Sequence, residues 1–279
     1  MDPSSLFWLF LLLLFMYPQF MFRLKLLQRY NCIKELERER KTRVIVMIHR
    51  QEQLALFGIP IYRFINIEDS EEVLRAIRMT PEDMPIDLIL HTPGGLVLAS
   101  EQIAMALKEH KAKTTVIIPH YAMSGGSLIS LAVDEIIMDK NAVMGPVDPQ
   151  IGQYPAASII NTVNSKYIDE LDDETLILAD VSKKAINQVK EFVFDLLRDK
   201  MPEERAKELA ETLSTGKWTH DYPLTVKKLN ELGISVNTKV PDKVYKLFDL
   251  YKQPVGQRPS VQYIPTPYKK VNHVKGKIE

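Results

Sequence analysis

Residues 119–136 read PHYAMSGGSLISLAVDEI, and this stretch decides the fold. The β-branched run 114–118 (TTVII) leads into it, and the chain then turns sharply through Ser124, Gly125 and Gly126. An apolar helix follows at once, with Ser130 the single polar residue between Leu128 and Val133. A strand–turn–helix of this kind sets Ser124 at a helix N-terminus. Unpaired backbone N–H groups and the positive end of the helix dipole gather there and can stabilise an oxyanion. The arrangement has the logic of a nucleophile elbow, although the spelling is not G-x-S-x-G. The plain alternative is a glycine-rich turn in which Ser124 only caps the helix.

A second stretch of the same design lies upstream. The apolar run 86–90 (IDLIL) enters His91-Thr92-Pro93-Gly94-Gly95, and Ile103, Ala104 and Leu107 recur at helical spacing within 97–109. Strands alternating with helices in this way indicate right-handed β-α-β units in an α/β domain. In a parallel sheet both turns then lie at the carboxyl ends of neighbouring strands, where open α/β sheets form their ligand sites. The N–H groups of Gly95 and Gly125 could converge there on one acyl oxygen. Removing one donor from such a hole costs on the order of 3–4 kcal/mol of transition-state stabilisation. A phosphate loop is a weaker use of these glycines, because neither turn is spelled G-x-x-x-x-G-K-[ST] or G-x-G-x-x-G.

Outward from the two turns, residues 43–48 (RVIVMI) predict a buried strand and 60–67 another. Asp69, with Glu72 three residues on, predicts a capping box for a helix over 70–78. A short strand is expected over 135–138 and a turn-rich segment over 141–150, while 151–177 has no clear period. Val181, Ala185, Val189, Phe192, Val193 and Leu196 share one face of a helix over 180–200. Further helices are expected over 202–213, over 225–231 before Gly233, and over 242–251. Residues 252–279 lack periodicity and read as an extended or disordered tail.

The 279 residues carry no net formal charge, which gives no reason to expect nucleic acid as a partner. Cys32 is the single cysteine, so no disulfide framework and no thiolate metal cluster is expected, and no cofactor is implied. Residues 6–22 are almost wholly apolar, near the lower length of a spanning helix. Asp2 precedes this run and Arg23, Lys25 and Arg29 follow it, the reverse of a cleaved signal peptide. The asymmetry predicts a single-pass anchor with everything after Phe22 in the cytoplasm. The chain divides into an anchor (1–22), a charged connector (23–41), an α/β domain (42–251) and the tail (252–279).

HTPGG followed by AMSGGSLISLAVDEIIMDKNAVMGPVDPQ resembles the Clp protease/crotonase superfamily. Within it, the chain is similar to the signal peptide peptidase A group and to the membrane-anchored serine dehydrogenase proteinase family. The resemblance implies a spiral of β-β-α units, a nucleophilic Ser124, oxyanion donors at Gly95 and Gly125, and homo-oligomeric assembly. One departure stands out. Clp proteases place a histidine after the serine in a region where 144–150 has none. The resemblance to signal peptide peptidase A instead implies a serine–lysine dyad, with Lys184 first and Lys183 second. Lys166 also has a suitable separation. A triad through His220, which sits beside Asp221, is a lesser reading, and Asp148 reads mainly as a turn-former. His120, His49 and His91 read as structural.

These expectations amount to a membrane-anchored serine endopeptidase acting on membrane-associated proteins or peptides. Two alternatives come from other classes. One is a crotonase-like acyl-thioester enzyme, which would need a carboxylate at the site, and Glu135 is the nearest after the turn. The other is a non-catalytic oligomeric scaffold in the membrane. The word dehydrogenase finds no support in the residues, since no dinucleotide fingerprint is present.

Overall fold

Side-chain alternation along five parallel strands divides the apolar residues of this protein between two cores. The computed structural model describes residues 3–49, 52–54, 59–61 and 63–251. Helix α1 spans Pro3–Arg40, and β1 (Arg43–Ile48), β2 (Glu52–Leu54) and β3 (Ile59–Ile61) follow. Next come α2 (Ile67–Arg78), β4 (Ile86–His91), α3 (Val97–Glu109), β5 (Thr114–Ile118), β6 (Tyr121–Ala122) and α4 (Gly125–Ala132). Strands β7 (Glu135–Met138), β8 (Val143–Met144), β9 (Gln150–Ile151) and β10 (Tyr154–Pro155) precede α5 (Ala156–Asn164) and α6 (Asp173–Leu197). Helix α7 (Glu203–Ser214), β11 (Leu224–Thr225), α8 (Val226–Glu231), β12 (Val236–Asn237) and α9 (Asp242–Asp249) complete the described chain.

The main sheet has the order β1-β4-β5-β7-β12, all parallel. Every residue of β4 and β5 is buried, as strands covered on both faces require. Leu88, Leu90, Val116, Ile118, Ile136 and Met138 point to the larger core, under the α3, α4, α6 and α7 layer. The intervening Ile89, Ile117 and Ile137 point the other way, to Leu36 of α1 and to Val244, Leu247 and Phe248 of α9. A smaller sheet, β11-β8-β6, stands beyond the main one. Because β6 lies between β5 and α4, the chain forms a strand–strand–helix unit, in keeping with a ClpP-like α/β fold.

Helix α1 is continuous from the apolar run through the charged connector. Its last part is docked on the domain. Arg40 pairs with the buried Asp87 at the start of β4, and Thr42 Oγ1 donates to the same carboxylate at 2.8 Å. Lys243 of α9 pairs with Glu35 at 3.0 Å and with Glu39. At the other end of this contact, Arg29 Nη2 donates to the Leu250 carbonyl at 2.9 Å, and its guanidinium lies 3.9 Å from the Tyr251 ring centre. Helices α1 and α9 are therefore antiparallel. Phe248 meets the rings of His91 and His120, each centroid 5.3 Å away, just beyond the carboxyl ends of β4 and β5. The Arg40 end of α1 thus lies at the amino edge of the sheet, and the Arg29 end at the carboxyl edge. The chain reverses between α1 and β1 at Lys41, whose φ is 54°.

Several boundaries depart from the sequence reading. The cap of α2 is Asn66, whose side chain accepts from the Asp69 N–H at 2.9 Å while Asp69 accepts from the Asn66 N–H at 3.0 Å. The capping box thus begins three residues before the expected Asp69. Of the strand expected over 60–67, the described residues show Ile59–Ile61 paired with β2, and Ile65 forms a separate bridge to Gly95. Helix α6 begins at Asp173, where the Asp172 side chain accepts from the Thr175 N–H at 2.7 Å. The 151–177 stretch holds α5. The tail expected over 252–279 lies outside the described residues.

Candidate functional site

The two glycine turns meet. Thr92 and Ala122 form a parallel bridge, in which Met123 N–H donates to the Thr92 carbonyl at 3.0 Å and Thr92 N–H to the Tyr121 carbonyl at 3.2 Å. This pairing carries Gly94 against Ser124. A Cβ on Gly94 would stand 2.7 Å from Ser124 Cβ and 3.2 Å from Ser124 Oγ, and its φ of 107° also favours glycine. Gly95 is hemmed in from the opposite side, where a Cβ would come within 2.2 Å of the Ile65 carbonyl oxygen. The bridge to Ile65 uses the Gly94 carbonyl (2.7 Å) and the Leu96 N–H (2.8 Å). In such a ladder the N–H of Gly95 itself points away from Ile65. Among the described residues it meets no acceptor.

Buried His49 fixes the turn from behind. Its Nδ1 lies 2.9 Å from Thr92 Oγ1 and its Nε2 lies 3.2 Å from Asp69 Oδ2. Burial holds this imidazole below its ordinary pKa, against the upward pull of Asp69. Thr92 Oγ1 in turn accepts from the Gly94 N–H at 3.2 Å. His49 and His91 are thus placed structurally, and His120 joins His91 and Phe248 in one ring cluster.

Ser124 has φ 50° and ψ −116°, a backbone region that side-chain-bearing residues rarely enter. Holding it there costs on the order of 1–3 kcal/mol. It stands at the N-cap position of α4, yet its side chain makes no capping bond. The cap-only reading therefore fails. Within the turn, Gly126 N–H donates to the Met123 carbonyl at 2.8 Å and Ser127 N–H to the Ser124 carbonyl at 2.8 Å. The Gly125 N–H meets no acceptor among the described residues. A Cβ at Gly125 would stand 2.1 Å from Ser100 Oγ, so glycine there lets α3 and α4 close together.

A third group converges on the same place. In the small sheet Ala122 and Leu224 both register with Met144, β6 running parallel to β8 and β11 antiparallel. Ser124 lies two residues beyond Ala122, Asp148 four beyond Met144, and His220 four before Leu224. All three therefore leave the sheet at one end. There His220 Nδ1 meets Asp148 Oδ1 at 2.9 Å, and Gln150 Nε2 donates to Asp148 Oδ2 at 2.7 Å. The Asp148 side chain is 2% exposed and that of His220 32%. Gly145 bridges the pair to the serine turn, since a Cβ there would stand 2.5 Å from Met123 Cε and 3.6 Å from the His220 carbonyl. Its N–H donates to Ser127 Oγ at 3.0 Å. The partner of His220 is thus Asp148 and not the adjacent Asp221, which is exposed. The sequence offered a signal in GPVDPQ and WTHD, but nothing in it links two loops 72 residues apart.

The sequence-predicted lysines lie on α6. Lys184 Nζ is 2.5 Å from Asp180 Oδ2 with both side chains exposed, and Lys183 and Lys166 are exposed as well. Glu135 opens β7 at the amino edge, where it pairs with Lys113 at 2.7 Å and accepts from Asn237 at 2.8 Å. That edge is opposite the glycine turns, so the carboxylate an acyl-thioester chemistry would need is absent from this position. Among the described residues no cluster of His, Cys, Asp and Glu stands ready to hold a metal ion.

The model of one protein family, the ClpP-like SDH-type serine proteinases, matches residues 2–277. The chain belongs to this family. Two uncharacterized proteins of Methanocaldococcus jannaschii are similar to this family member over nearly its whole length. One is 71% identical over 264 residues, covering 95% of this chain and 90% of the relative. The other is 59% identical over 281 residues, covering 99% and 98%. Among solved structures, a mutant of the 1510-N membrane-bound stomatin-specific protease aligns with a TM-score of 0.46 at 20% identity, over 66% of this chain and 79% of that one. ClpP1 from Listeria monocytogenes aligns with a TM-score of 0.45 at 15% identity, over 73% and 96%. At that level of likeness neither structure bears on the chemistry of this SDH-type proteinase. Its family membership supports a peptidase function.

Proposed function

We propose that this SDH-type proteinase is a membrane-anchored serine endopeptidase that cleaves proteins or peptides presented at the bilayer surface. Ser124 attacks the peptide carbonyl, and the N–H groups of Gly95 and Gly125 receive the developing oxyanion. The observation that carries this reading is the strained backbone of Ser124, whose uncapped hydroxyl faces the Gly94–Gly95 turn. Strain of this size at a turn is retained where it positions a reacting atom.

The anchor follows from α1, which has one stretch long and apolar enough to cross a membrane. Trp8, Phe10, Phe15 and Phe20 are exposed on it, with nothing among the described residues to cover them. Arg23, Lys25 and Arg29 then favour a cytoplasmic domain. Because α1 leaves the domain at the carboxyl edge of the sheet, the glycine turns share that edge with the bilayer. A homo-oligomer remains part of this reading, on the family resemblance.

For the general base, the resemblance favours Lys184, or Lys183 beside it. Lys184 is exposed and ion-paired with Asp180, so a lysine base requires a second copy or the substrate to displace that partner and bury the amine. A second reading uses His220, favoured by its contact with Asp148. The peptidase reading is tested by a serine-reactive fluorophosphonate on the full-length chain in detergent. Covalent labelling is expected, with loss in Ser124→Ala. Equal labelling of the two proteins would remove Ser124 from the mechanism.

A further inference from the structure

We infer that His220, oriented by the buried Asp148, is the general base for Ser124, in a constellation whose acid precedes its histidine in the chain. The inference rests on the peptidase reading of Ser124. The acid occupies the segment after the serine where Clp proteases place a histidine, and the histidine comes from the late loop. The two roles are exchanged along the sequence and restored in space by the small sheet.

The charge of Asp148 decides the state of the ring. A carboxylate only accepts, so the proton of neutral His220 sits on Nδ1, 2.9 Å from Asp148 Oδ1. Nε2 then carries the lone pair a base requires. Asp148 is held in turn by Gln150 and by burial, so it cannot swing away to solvent. His220 is itself part-exposed, as a group that must meet substrate has to be. Stacked rings of Trp218 and Tyr222, centroids 5.1 Å apart, flank it in sequence and stiffen the loop. By contrast Lys184 is exposed and ion-paired with Asp180, and Lys183 is exposed to solvent.

The step balances without any added reagent. Ser124 Oγ forms a bond to the carbonyl carbon as its proton passes to His220 Nε2, and the carbonyl π pair moves to the oxygen facing Gly95 and Gly125. That pair returns, the C–N bond breaks, and the leaving amine takes the proton from Nε2. Water then attacks the acyl ester by the same route and frees Ser124. Asp148 balances the imidazolium charge and is a positioning residue throughout.

The test measures fluorophosphonate labelling rate against pH with the full-length protein in detergent. The wild-type rate is expected to rise with pH. His220→Gln should lose roughly 10²–10⁴-fold and the pH dependence with it, a larger loss than either Lys184→Met or Lys183→Met causes. Asp148→Asn should be impaired and flatten the profile, because an amide can hold the ring in the wrong tautomer. Nitrogen NMR of labelled histidine provides a second readout independent of turnover, with the His220 signals assigned by their loss in His220→Gln. A proton on Nδ1 and a bare Nε2 are expected. A proton on Nε2, or wild-type labelling in His220→Gln with loss in Lys184→Met, overturns the inference. Labelling that survives Ser124→Ala overturns the underlying peptidase reading instead, and leaves the NMR result to judge the pair.

Discussion

At the scale of single residues, the site depends on positions that forbid a side chain and one that tolerates strain. Gly94→Ala would force a methyl to within 2.7 Å of Ser124 Cβ, at a φ of 107°. The variant should fold, because that clash stays within the turn, yet lose fluorophosphonate labelling by at least about 10²-fold as Ser124, the proposed nucleophile, is displaced. Intact-mass spectrometry of the labelled protein checks this. Ser124 gives a complementary prediction. Glycine adopts φ 50° without penalty, so Ser124→Gly should be more stable than Ser124→Ala by about 1 kcal/mol, read from denaturant midpoints. Equal midpoints would mean that the turn is not strained. The meeting of the Gly94–Gly95 and Ser124–Gly125 turns was legible in the sequence, because each is a short motif at the end of a strand in one parallel sheet. The pairing of Asp148 with His220 was not, since Asp148 reads alone as a turn residue and His220 has Asp221 as its neighbour in sequence, and their contact exists only once β8 and β11 pair.

At the scale of elements, α4 must be rigid if its first N–H is to hold an oxyanion, and Lys200 secures its other end. Nζ of Lys200 donates to the carbonyls of Leu131 at 2.6 Å and Val133 at 2.5 Å, two of the groups a helix end leaves unpaired. Burial lowers this lysine from 10.5 to about 8, opposed by Asp134 and Asp199 and assisted by Lys108. Between those two values the unfolded chain binds more protons than the folded one, so stability should rise with pH across that window and the contribution should be lost below it. The full shift would be worth roughly 3 kcal/mol, and solvent screening of this exposed side chain keeps the measured difference below that. Denaturant midpoints at several pH values, compared with Lys200→Met, isolate it, and parallel pH curves for the two proteins would contradict it. The element order was legible because β4, β5 and their helices keep strict periods. The start of α6 was hidden, since Leu176, Ile177 and Leu178 form an apolar run with Ile177 left exposed, and no single face emerges until Ala179. The α2 cap was misplaced because Asn66 and Asp69 both suit an N-cap, and only the backbone at Asn66 selects it.

At the scale of the molecule, the direction in which α1 leaves the domain was beyond the reach of sequence. It is set by pairs such as Arg29 with Leu250, 221 residues apart. Those pairs place the Arg29 end level with Phe248, at the carboxyl edge of the sheet, and the next residues toward the N-terminus are the apolar ones. At 1.5 Å per residue, the seven positions from Arg29 back to Phe22 span only about 10 Å. With α1 as the proposed anchor, the glycine turns and His220 should therefore face the bilayer at close range, and the amino edge should face away. Trp8 and Trp218 are the two tryptophans of the chain, and Trp218 stands two residues from His220. In Trp8→Phe, reconstituted into vesicles carrying a dansyl-labelled lipid headgroup, energy transfer from Trp218 should be efficient. A second variant carries Trp8→Phe, Trp218→Phe and Lys111→Trp. It moves the donor to the exposed Lys111 position before β5, at the amino edge, and should transfer weakly. Strong transfer from position 111 with weak transfer from Trp218 would turn the domain over and separate the nucleophile from any substrate held in the membrane.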